Sequence, residues 1–281
     1  MNLNDMRGSA AETLTFFMQA MPDVPFTESD IVFYFAEESK MASSAVELCS
    51  QYCPDKILND SQLRQLGETI AANALIGKLK SAVLVRIDSD ISEKDFRRII
   101  VHELMHVFCS KLEVDGEHFI DIYGSGTTPD IEPDDKAYDG MIVAGYNVWS
   151  EFIAQYYAIK MIDGRTHEFT DIAETFTSLL HDVTIIDLEL SKGSFYMMCA
   201  YWLNCMDFEE TLSALDEPGA FIPIDEPYGE EAQKALFDCV NYLYAQMQKD
   251  KPWKINEDFI FGLGFKYTVF RVANSQYLGI I

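Results

Sequence analysis

The chain has 281 residues, 48% apolar and 24% charged, with 15 Gly and 9 Pro. That is ordinary globular usage for one large domain or two small ones, and it excludes a disordered, collagen-like or low-complexity chain. Asp and Glu number 46 against 21 Lys and Arg, a net charge of −25; such a field repels phosphates and anionic lipid, so nucleic acid and membrane are not expected partners.

From the N-terminus, residues 11–21 read as an amphipathic helix and lack the basic-then-apolar layout of a secretory signal. No apolar run reaches the roughly 18 residues of a membrane span, and a cytoplasmic setting is expected. Residues 31–35, IVFYF, are rich in β-formers, yet Thr27-Glu28-Ser29-Asp30 before them resembles a helix start. Residues 41–53 predict a helix ending before Pro54, with Cys49 and Cys53 four apart on it. Buried free thiols are the default for that pair, a metal role the alternative. Residues 61–72 predict a further helix. Ala82 to Ile87 predict a strand, with Gly77 to Ser81 turning a hairpin into it.

A strong helix is predicted over 92–112. Ser92-Glu93-Lys94-Asp95 resembles a capping box, and Phe96, Ile99, Ile100, Leu104, Val107 and Phe108 keep helical spacing. Residues 113–139 break that pattern with Gly and Pro, predicting a loop that carries nine acids and one lysine. Helices are predicted from Val148 to Met161 and near 168–183, 193–207 and 230–249. The last stretch, FIFGLGFKYTVFRVANSQYL, reads as strand or irregular. The expected fold class is α+β, helix-dominated, with a small N-terminal sheet and a helical C-terminal part. The expected division is a lead-in over 1–80, a core with a metal site over 81–215, and a C-terminal part over 216–281.

Inside the 92–112 helix stands His102-Glu103-Leu104-Met105-His106, an HExxH motif. Residues i and i+4 share a helix face, so two imidazoles converge on one ion. Zinc accepts neutral imidazole nitrogen in tetrahedral geometry. Glu103 is turned about 100° from His102, which suits it to take a proton from a water on the ion and pass it to a leaving amine. Composition alone would produce the motif roughly 0.007 times in such a chain. The bland alternative is a pair of core histidines hydrogen-bonded within the fold.

Zinc needs a third protein ligand. Cys109 and Leu112 stand where an extended HExxHxxGxxH motif would carry Gly and His. The candidates are Glu151, on the apolar helix after Val148; His118, in the acidic segment; and an Asp or Glu of that segment. A carboxylate on an apolar helix is costly unless paired or metal-bound, and an ordinary surface acid is the bland reading of Glu151.

The strand, the HExxH helix and the later Glu helix, over roughly residues 80–160, resemble the gluzincin branch of zinc metallopeptidases. The resemblance implies a zincin-like fold, with zinc held by His102, His106 and Glu151 and Glu103 as general base. It also implies a Tyr or His that stabilises the oxyanion; Tyr146, Tyr157, His181, Tyr196 and Tyr201 are candidates, Tyr146 being nearest the Glu helix. The thermolysin-like pattern places an Asp four residues after the Glu, where this chain has Gln155, and the spacing from His106 to Glu151 is long. The expected activity is zinc-dependent hydrolysis of a peptide or protein, with basic peptides favoured if the acidic segment borders the site. The alternative is a zincin-like binding or regulatory protein without catalysis.

Overall fold

The computed structural model describes residues 1–54, 58–68, 71–112, 133–162, 199–200 and 230–277. The helix expected near 168–183, most of that near 193–207, and residues His118, His181, Tyr196 and Tyr201 lie outside them. Contacts divide the chain into two compact units: Met1–Glu113 with Lys160–Gly164, and Val114–Ile159 with Arg165–Ile281. Numbering follows the described elements, and among them the architecture is α+β, rich in helix, with one three-stranded sheet.

The first unit holds helices α1 (Leu3–Ala20), α2 (Met41–Tyr52), α3 (Asp60–Glu68) and α4 (Glu93–Lys111) and strands β1 (Ile31–Ala36), β2 (Ala72–Ile76) and β3 (Ser81–Arg86). The Thr27 segment resolves both ways. Glu28–Asp30 forms a single 3-10 turn closed by the Thr27 and Asp30 side chains, and β1 begins at the next residue. The hairpin forms as expected: β2 and β3 pair antiparallel, with Ile76 opposite Ser81. β1 pairs parallel to β3, giving the order β1-β3-β2. Central β3 is buried along Ser81–Val85, as a strand covered on both faces must be. Ala82 and Leu84 join Leu75, Ala36 and the α2 residues Met41, Ala45, Leu48 and Cys49 in one core cluster. Val83 and Val85 alternate to the other face, and α4 packs on β2 and β3 while α1 packs on α4. Cys49 and Cys53 are buried free thiols of that cluster.

Helix α4 starts where the sequence says. The Ser92 hydroxyl accepts from the Asp95 amide at 3.1 Å. The reciprocal half differs from a full capping box, because the Asp95 carboxylate accepts from the Ser92 hydroxyl at 2.6 Å instead of from its amide; Asp is one methylene shorter than Glu. At the other end the Lys111 ammonium donates to the carbonyls of Gly77 and, at 2.8 Å, Lys78. Burial pushes its pKa below the usual lysine value, opposed by the charge of Asp30. The β2–β3 turn is thereby tied to the last turn of α4. Gly77 is required there, since an added Cβ would lie 2.0 Å from the Tyr52 carbonyl oxygen.

The second unit holds α5 (Pro133–Ile162, of which Lys160–Ile162 belong to the first), α6 (Glu230–Met247) and α7 (Glu257–Tyr277). Two expectations are corrected. The stretch expected to be loop up to residue 139 is helix from Pro133 onward. Proline is favoured at the first helical position, where its missing N–H costs nothing, and Asp134 and Asp135 follow in the first turn, where the helix dipole favours acids. The C-terminal stretch expected as strand or irregular is α7, capped by Asn256, whose side chain accepts from the Phe259 amide at 3.0 Å. Its aromatic and β-branched residues have weak helix propensity, but packing overrides it. Trp149 of α5 and Tyr242 of α6 both pack on Phe259, at ring distances of 5.1 and 5.2 Å. The Tyr138 hydroxyl donates to Glu257 at 2.5 Å. An added Cβ at Gly145 would lie 2.0 Å from the Ile260 carbonyl oxygen, and one at Gly264 would lie 1.9 Å from that of Met141. The two glycines let the backbones of α5 and α7 touch.

Candidate metal centre

The HExxH motif occupies the middle of α4, with Val101, Leu104, Met105, Val107 and Phe108 buried around it. Those apolar residues fix the helix rotation, and both histidines are left half-buried. Their Nε2 atoms stand 3.1 Å apart, and the rings meet edge-on with centroids 4.8 Å apart. Two nitrogens each about 2.05 Å from a tetrahedral zinc ion would be about 3.3 Å apart. The separation fits a metal chelate, and it equally fits the hydrogen bond between two neutral imidazoles that the bland reading expects.

Glu151 lies on α5 at a half-buried position. Its neighbours Trp149, Phe152, Ile153 and Tyr156 are buried, and the stacking of Trp149 on Phe259 sets the rotation of this part of α5. One ligand atom from each of His102, His106 and Glu151 lies within 4.8 Å of the other two. Two imidazoles and a carboxylate make a donor set suited to a borderline divalent ion and leave a coordination position open.

Glu103 is 7% exposed and is not a member of that three-residue group, although it adjoins His102 in sequence. A carboxylate is rarely so buried without partners, and Glu103 has interactions within the fold. Gln155, one turn beyond Glu151, is also 7% exposed. It occupies the interior, where its amide must be hydrogen-bonded. Tyr146 is half-buried on α5, and five helical residues turn it about 140° from Glu151. The Tyr157 ring packs on Tyr156 at 5.4 Å and Trp253 at 6.5 Å. Three residues past His106, burial pushes the pKa of the Cys109 thiol up to about 12, and Cys109 is not a member of the three-residue group.

One contributor escaped the sequence reading. Lys111 closes α4 onto the hairpin that precedes it. A lysine in the last turn of a helix was the visible signal; its carbonyl acceptors, more than 30 residues earlier, carried none. No protein-family model matches the chain, and neither a curated protein nor a solved structure is significantly similar to it.

Proposed function

We propose that the chain is a zinc-dependent peptidase of the gluzincin type, with His102, His106 and Glu151 as zinc ligands and Glu103 as general base. The observation that carries this reading is the grouping of those three side chains around an HExxH helix whose intervening glutamate stays outside the group. Zinc, when bound there, supplies a Lewis acid that acidifies water and polarises a carbonyl. The chain's own residues do the rest. The two imidazoles bind through Nε2, and the α4 backbone holds them at a fixed separation. Glu103 takes a proton from the attacking water and delivers it to the departing amine. The zincin-like fold assignment belongs to the same proposal and is supported by the order of hairpin, HExxH helix and Glu helix.

The substrate class we infer is a peptide carrying Lys or Arg. Six acids stand between Lys111 and Pro133, in the sequence that joins α4 to α5, and Asp134, Asp135 and Asp139 lie on the first turns of α5 itself. Converting Asp134 and Asp135 to Asn is expected to slow cleavage of basic peptides more than of neutral ones; an equal effect on both would remove the preference.

The test measures zinc content and turnover of a mixed peptide library by the full chain and by Glu103→Ala. Stoichiometric zinc in both, with cleavage only by the parent chain, is expected. Zinc in both and cleavage in neither would favour a non-catalytic binding protein. That second reading is kept by Gln155, a neutral buried amide at the position where the thermolysin-like pattern has a carboxylate that orients a ligand histidine. Less than about a tenth of an equivalent of zinc in the parent chain would overturn both readings, since a built three-ligand site retains its metal.

A further inference from the structure

Strand β1 is an edge strand among the described residues, and its outer side lacks the usual protection. Its sequence, IVFYFA, contains no Lys, Pro or Gly, the residues that normally blunt an edge. Val32, Phe33 and Phe35 are half-buried and Tyr34 is 39% exposed. Residues pointing to both faces are thus partly open, and among the described residues no strand pairs with the outer side. The direction of the backbone groups is fixed. The Ala36 carbonyl accepts from the Ile87 amide at 2.8 Å, so Ala36 turns its N–H and C=O toward β3. By the two-residue alternation of a parallel ladder, Tyr34 and Val32 do the same. Ile31, Phe33 and Phe35 turn theirs to the outer edge.

Charge selects what fits there. Glu28 and Asp30 precede the strand, and Glu37 and Glu38 follow it. Glu37 and Glu38 are exposed, as is Glu28, whose carboxylate accepts from the Thr15 hydroxyl at 2.9 Å; the Thr27 amide and hydroxyl hold the Asp30 carboxyl below its ordinary value, helped by the charges of Lys111 and Lys80. A second copy of this chain is a poor occupant. Antiparallel pairing would set Glu28 and Asp30 against Glu37 and Glu38, and parallel pairing would set each acid against itself. We propose that the outer edge of β1 is a docking strand for an extended peptide with a basic residue at each end, added by main-chain hydrogen bonds to Phe33 and Phe35. From Asp30 to Glu37 the backbone spans about 23 Å; a seven-residue extended peptide spans about 20 Å between its terminal Cα atoms, and its lysine side chains reach the remainder. Strand addition gives the affinity and the flanking charges give the choice of partner. The proposal involves no metal and stands apart from the peptidase reading.

The probe is a labelled, end-blocked Lys-Thr-Val-Thr-Val-Thr-Lys peptide, titrated with the full chain by fluorescence anisotropy. Two further probes carry N-methyl groups on alternate amides, one in each register. Saturable binding is expected, weakening with added salt. In one register N-methylation should weaken it by about tenfold or more. The combined change of Glu28, Glu37 and Glu38 to Gln should weaken it similarly while leaving the circular dichroism unchanged. Phe33→Pro removes an outward N–H without touching the β3 ladder and should abolish binding; if it does not fold, the N-methyl probes and the glutamine variant decide. No binding of the parent probe, or binding indifferent to both N-methyl probes and to the glutamine variant, would overturn the proposal. So would a dimer of the chain that competes with the probe, because the edge would then belong to a second copy.

Discussion

Helix α4 begins at a Ser92 cap, carries its histidines four residues apart on one face, and ends at Lys111. Helix α5 begins at Pro133, runs for 30 residues, and carries Glu151 beside a run that is buried from Phe152 to Tyr156. The start and stop of α4 are written within its own sequence. The rotation of α5 is set from outside, by Gly145 against the Ile260 carbonyl, Trp149 against Phe259 and Tyr138 against Glu257. The two histidines proposed as ligands thus sit on a locally specified helix, and the carboxylate proposed as the third on a helix specified by packing. The comparison teaches that a two-ligand bite needs only helical periodicity, whereas bringing in a third donor depends on contacts far apart in sequence.

The largest effect should come from the α4 side. Glu103→Gln keeps size and shape but removes the base, and peptide turnover should fall by about 10²- to 10⁴-fold with zinc content unchanged. Unaltered turnover would detach the motif glutamate from the chemistry. On the α5 side the expected effect is structural. Gly264→Ala sets a methyl group against the Met141 carbonyl oxygen, and overpacking of this kind costs about 1–3 kcal/mol, or more where backbone must move. Denaturant unfolding would read that loss. A loss near zero would mean that α5 and α7 do not depend on backbone contact.

Smaller effects test the local specification of α4. Ser92→Ala should cost about 1 kcal/mol of stability. Ser92→Asp should recover most of it, since Asp also accepts from the amide three residues on. The smallest effect concerns the first unit at low pH. The Asp30 carboxyl is held below 3.8 by the Thr27 amide and hydroxyl. Its folded value is depressed, so the associated stabilisation is present above pH 3.8 and is lost as pH falls through the lowered value. Thr27→Val should move the Asp30 titration, followed by NMR, back toward 3.8. An unmoved titration would assign the shift to the backbone amide alone.

Much of the first unit was legible because its signals are short-range. Alternating β-branched residues and Gly77 gave the hairpin, and Ser92 with the spacing from Phe96 to Phe108 gave α4 almost to its ends. Asn59 and Gln62 bond each other's amides at 2.9 and 3.0 Å, a capping box that opens α3 one residue earlier than expected. The second unit was less legible. Gly and Pro within 113–139 read as loop breakers, although Pro133 opens a helix. Gly262 and Gly264 among Phe, Tyr and Val in α7 read against a helix, although Gly264 is the residue that allows α5 to approach. Propensity counts glycine as a weakness; packing uses it as space.

The sequence by itself determined the motif, the face on which two imidazoles meet, the net charge of −25 and the boundaries of α4, because helical periodicity, capping and ionisation are local properties. Only the tertiary structure groups Glu151 with the two histidines; His118 and most of the other acids open as a third donor lie outside the described residues. The tertiary structure also placed β1 at the edge of the sheet rather than at its centre and made a helix of the last long segment. Those outcomes depend on which surfaces exclude water together, a property of residues from 45 to more than a hundred positions apart that no single stretch of sequence carries.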